Sequence, residues 1–107
     1  MALKNIGMIG IPDSAGSSFD HGAFDPATRR VFVAHTGRNR IEVIDHDAGK
    51  HIATLSDFPQ VAGVVAGDGT VLVTNRGAAS MALAGVANPE GRADAATPRC
   101  VLGRGVA

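Results

Sequence analysis

The chain has 107 residues, enough for one small domain with a modest core. Lys and Arg balance Asp and Glu, so no basic field points to nucleic acid or to a membrane surface, and the 4% aromatic share, all Phe, is too thin for a base-stacking platform. A lone cysteine, Cys100, excludes an intrachain disulfide framework.

The N-terminal segment, residues 1–18, opens with a short apolar run broken by Gly7, Gly10 and Pro12. A signal peptide needs a longer unbroken apolar core and a membrane span needs about 20 apolar residues, so no membrane insertion is expected and the cytoplasm is the default compartment. Asn5 to Ile11 is expected to add an outer strand to a neighbouring sheet. Gly7-Met8-Ile9-Gly10 is not a dinucleotide fingerprint, because no helix follows it. Ser14-Ala15-Gly16-Ser17-Ser18 forms no nucleophile elbow and is most simply a flexible connector.

From residue 19 onward the chain alternates short apolar runs with turn signals. Strands are expected near 21–25, 30–35, 40–45 and 51–56, then near 61–66, 70–75 and 80–85. Arg30 to His35 is β-branched and aromatic, and in Arg40 to Asp45 the side chains of Ile41 and Val43 share a face. Asp25-Pro26-Ala27-Thr28 is a turn capped by Asp, with Pro presetting φ. Asp47-Ala48-Gly49-Lys50 fits a type I turn with Gly in the left-handed region, and Asp68-Gly69 is a strong short-hairpin signal. No helical window is both long and capped. Residues 88–107 lack periodicity and are expected to be a disordered tail.

A repeat runs through these elements. Val31-Phe32-Val33-Ala34-His35-Thr36-Gly37 lines up with Val71-Leu72-Val73-Thr74-Asn75-Arg76-Gly77 at a spacing of about 40 residues. Phe19 and Phe58 precede the two units at roughly equivalent places, and Ile41 and Val43 match Met81 and Leu83. Such a repeat with four short strands is the signature of a propeller blade. The expected fold is therefore all-β: two consecutive four-stranded antiparallel blades of a partial β-propeller. Residues 19–57 form the first blade, and 58–87 form a second that is incomplete because it stops after its third strand.

Phe19 to Val86 resembles the YVTN-repeat (YncE-like) β-propeller family. The matching residues are Leu72-Val73-Thr74-Asn75-Arg76-Gly77, where Leu72 replaces the family's Tyr, with Val43-Ile44-Asp45, Ala48-Gly49-Lys50 and Ile52-Ala53-Thr54-Leu55. The resemblance implies a propeller of about seven blades, of which this chain supplies two. Family members are often extracytoplasmic binding or scaffold proteins, and some relatives resemble redox-enzyme propellers. The motif implies no particular ligand or cofactor.

In a propeller, the loops entering the inner strand and those between the second and third strands lie on one face. That logic places Asp20, His21, His35, Asn39, Asn75 and Arg76 together as candidate binding residues. Asp20, His21 and His35 are acceptable ligand types for a divalent metal. The same side chains are more simply accounted for as partners of backbone groups at strand starts and turns. His46 and His51, flanking an outer hairpin, are expected to be solvated.

Two functions follow. One is a propeller repeat fragment with a binding or scaffold role. The other is a piece of a propeller enzyme, metal-dependent or quinoprotein-like, whose active site needs further blades. A truncated gene product is a third possibility. Both sheet faces carry apolar side chains and the incomplete second blade leaves an open edge, so the chain is expected either to pair with copies of itself in a homo-oligomer that completes a ring or to be marginally stable and aggregation-prone alone. Three or four copies would supply about six to eight blades.

Overall fold

Where β-branched residues alternate with polar ones, the chain forms strands, and the turn signals fall between them. The computed structural model of the chain describes residues 3–85 and 99–102. The first sheet contains β1 (Gly22–Asp25), β2 (Arg30–His35), β3 (Arg40–Asp45) and β4 (Lys50–Ser56), hydrogen-bonded in that order. The second contains β5 (Val61–Gly67), β6 (Thr70–Asn75), β7 (Ser80–Gly85) and β8 (Arg99–Leu102), again in order. All pairings are antiparallel. These bounds agree with the sequence expectation to within a residue or so.

The repeat is reproduced in detail. In the first blade β2 pairs with β3 from Arg30↔Asp45 to His35↔Arg40. In the second, β6 pairs with β7 from Thr70↔Gly85 to Asn75↔Ser80. Each pair is joined by a short 3₁₀ turn, Thr36–Arg38 or Arg76–Ala78, closed by a residue in the left-handed region: Asn39 at φ 59° or Ala79 at φ 50°. The predicted turns also form. Gly49 sits at φ 66°, and Asp68 and Gly69 both have positive φ, as a two-residue type I′ hairpin requires.

Antiparallel register sorts the side chains into rows. Phe32, Ala34, Ile41 and Val43 of the first sheet face Val71, Val73, Ala82 and Ala84 of the second across one core. Leu55, and Phe58 from the link between the sheets, complete it, and both are almost wholly buried. The outer rows are less covered. On the second sheet Val65, Leu72 and Leu83 align across three strands, and Val65 is 67% exposed.

Two features differ from the sequence expectation. Residues 3–20 form no strand. Gly7, Gly10 and Pro12 interrupt them, and the segment instead caps itself, with the Gly7 amide donating to Asn5 Oδ1 at 2.9 Å. The contiguous second unit supplies three strands, as anticipated, but Arg99–Leu102 adds a fourth against β7 in a shifted register. That strand lies within the stretch expected to be disordered, whose other residues fall outside those described. Its run, Arg-Cys-Val-Leu, is short but apolar enough to pair with the open edge of β7.

The sheets are tied by polar groups as well as by the core. Asp25, wholly buried at the end of β1, accepts from the Ala27 amide at 3.1 Å and the Thr28 hydroxyl at 2.7 Å, closing its own turn. Its Oδ2 also accepts from the Gly69 amide at 2.6 Å, in the facing turn of the second sheet. Burial raises the pKa of Asp25, but these hydrogen bonds together outweigh it and the net shift is downward.

Candidate functional site

The loops entering each inner strand pass over the β2–β3 and β6–β7 connections. The Gly37 amide donates to Ser18 O at 3.0 Å, and the Gly77 amide donates to Pro59 O at 3.0 Å. Only glycine permits the first approach, since a Cβ on Gly37 would lie 2.4 Å from Ser17 Oγ and 2.8 Å from Ser18 N. These crossings gather the loop residues at one end of both blades, as the propeller logic required.

Asp20 and His21 stand there because their backbone is pinned. The Asp20 amide donates to Ala34 O at 2.9 Å, and the His21 amide crosses to Ala62 O of the second sheet at 3.2 Å. Asp20 Oδ1 lies 2.6 Å from His21 Nδ1, and Oδ2 lies 3.7 Å from Arg76 Nη2. The His21 and Arg76 side chains are largely exposed. Asp20, His21 and Arg76 therefore form a solvent-facing polar cluster that spans the two blades.

The other three candidates are placed differently. Asn39 is a fastener: its carbonyl accepts from the Phe58 amide and its Oδ1 from the Gln60 amide, both at 2.9 Å. Asn75 is buried, and its Oδ1 has no hydrogen-bond partner. His35, at the equivalent position of the first blade, is wholly buried under Phe19, with ring centroids 4.3 Å apart and planes 17° from parallel.

His35 leads into a network centred on Glu42, which sequence reasoning missed. Glu42 Oε2 accepts from His35 Nδ1 at 2.6 Å and from Arg40 Nε at 3.0 Å. Oε1 accepts from Thr54 Oγ1 at 2.6 Å and from His51 Nε2 at 2.9 Å. His35 Nε2 meets Ser17 Oγ at 2.8 Å. Arg40 continues outward to Pro12 O at 3.0 Å and Asp13 Oδ2 at 3.2 Å, which lays the N-terminal segment over this face. Burial pushes the Glu42 pKa up, but the four donors outweigh it and hold the carboxyl below its ordinary range.

His51 is the other correction. It is not solvated, because a bulge in the β3–β4 ladder changes the alternation of β4. Val43 pairs with Ala53, whereas Ile44 pairs with His51, so Ile52 is the extra residue. The parity change turns His51 to the same side as Thr54 and Glu42, while Ile52 packs on the core. His46 does stay half-exposed, 3.2 Å from Asp47.

Among the described residues, no three His, Cys, Asp or Glu side chains are grouped so as to hold a metal ion. Nor is any helix among them long and apolar enough to cross a membrane. A cleft of about 320 Å³ lies between Ile6–Ile9 and the β3–β4 turn at His46 and Gly49. It opens at the opposite end of the blades from the polar cluster. Comparison of the chain with family models, curated proteins and solved structures finds no match.

Proposed function

We propose that the chain is a β-propeller repeat unit of the YVTN (YncE-like) kind with a binding or scaffold role. The observation that carries this reading is the repeat itself, kept in ladder register and in the two left-handed turn closures. The exposed Asp20–His21–Arg76 cluster, on the loop end shared by both blades, is the binding surface in this reading.

The partner in this reading is another copy of the chain. The core shows how one blade covers the next. The outer row Val65–Leu72–Leu83 of the second blade is a further apolar face that a neighbouring copy would cover. Three or four copies would close a ring of about six to eight blades. Sedimentation equilibrium tests this. The expected result is a closed trimer or tetramer for the native chain and dissociation in Val65→Asp. A well-folded monomer whose melting does not depend on concentration would refute it.

A further inference from the structure

Serine hydroxyls are poor nucleophiles unless a positioned base removes their proton. In this chain one serine has such a base, and the base has its own orienting group. Ser17 Oγ lies 2.8 Å from His35 Nε2, and His35 Nδ1 lies 2.6 Å from Glu42 Oε2. An ionised carboxylate can only accept, so the proton between His35 and Glu42 resides on Nδ1. With the ring neutral, the Nε2 lone pair faces the Ser17 hydroxyl. This is the order of roles in a Ser–His–acid relay, which is defined by geometry and not by chain position.

The surroundings fix the relay. His35 has no solvent exposure, stacks on Phe19 and is held by a carboxylate with four donors. Ser17 is half-buried, so the nucleophilic oxygen is the outermost member. Its loop is pinned on both sides, by the Ser17 amide donating to Ser14 O at 3.0 Å and by Ser18 O accepting from Gly37. The binding surface proposed above rests on Asp20, His21 and Arg76 instead, and this inference does not depend on it.

We propose that Ser17 is an activated nucleophile that reacts with small acyl or phosphonyl groups, with His35 as its base and Glu42 as the positioning residue. Arg40 shares the Glu42 charge at 3.0 Å, which weakens support for an imidazolium. The site is therefore suited to covalent capture more than to rapid turnover.

The test uses the full chain and a fluorophosphonate. Ser17 Oγ bonds to phosphorus, the phosphorus–fluorine bond breaks, fluoride leaves, and the hydroxyl proton passes to His35 Nε2. The expected result is one phosphonyl group per chain, mapped by mass spectrometry to Ser17. Its rate should be at least about 100-fold above that at Ser14 or Ser18, and it should be lost in Ser17→Ala and His35→Gln. As a second measurement, the Ser17→Cys thiol should be alkylated by iodoacetamide faster than the Ser18→Cys thiol at neutral pH. Where His35→Gln does not fold, this comparison decides. No adduct on the folded chain, an adduct that persists in His35→Gln, or equal alkylation of the two thiols would each overturn the proposal.

Discussion

Glu42 occupies a strand position that alternation alone assigns to the surface, yet it has no solvent exposure. Its charge is tolerated because four donors surround it, and removing it would strand His35, Arg40 and His51 with unmet donors. Glu42→Ala is therefore expected to cost about 3 kcal/mol of stability, since breaking a buried ion pair on one side costs several. Urea denaturation at neutral pH would measure it. Glu42 and Asp25 also make stability depend on acid. Their carboxyls titrate below the ordinary 4.5 and 3.8 in the folded chain, so the unfolded chain binds these protons first. Their stabilisation is complete above those ordinary values and is lost as pH falls through the lower folded values. A urea midpoint that holds from pH 7 to 5 and then falls, less steeply in Glu42→Ala, is the expected profile. A flat profile down to pH 2 would contradict it.

The two left-handed closures compare one conformation with two residues. Asn39 tolerates positive φ, but Ala79 at φ 50° carries a Cβ that this region penalises. Ala79→Gly is expected to stabilise the chain by up to about 1 kcal/mol, raising the melting temperature by a few degrees. The glycines of the loop crossings predict the reverse. Gly37→Ala would force its methyl against Ser17 and the Ser18 backbone, whereas at Gly77 the nearest atoms, on Pro59, are 3.1 and 3.2 Å away. Gly37→Ala should cost about 1–3 kcal/mol, in the range for overpacking, and Gly77→Ala distinctly less by the same thermal melt. The strands and hairpins were legible because β-branched runs and Asp-Gly or Gly-Lys turns act locally. The bulge at Ile52 was not, since it arises from pairing between β3 and β4 and leaves no residue signature. His51 was misassigned for that reason, and the Glu42 network with it. Asp20, His21 and Arg76 fall together at one end of the sheets because that placement follows from strand order. Asn39 belongs to the same loops, but its side chain is taken up by the Gln60 amide, a contact set by the return path of the link.

At the scale of the whole molecule, one core serves both sheets. Phe32 and Val43 from one and Val71 and Val73 from the other are buried in the same cluster, with Phe58 of the link among them. The apolar rows that make up this core are covered only by the opposite sheet, so the blades should not unfold independently. Amide hydrogen exchange is expected to give β2 and β6 the same opening free energy. A clear difference between them, with one blade protected while the other exchanges, would disprove a shared core.

The carboxylate that joins the facing turns has no counterpart at the end of β5, where Gly67 stands in the place of Asp25. The fastening therefore has a direction: it runs from the first blade to the second and is not handed on. In a ring of copies, the seams within each chain carry this polar clasp and the seams between chains lack it. Such a ring would come apart between subunits first, shedding intact two-blade pieces, and dilution or mild denaturant would act on alternate seams.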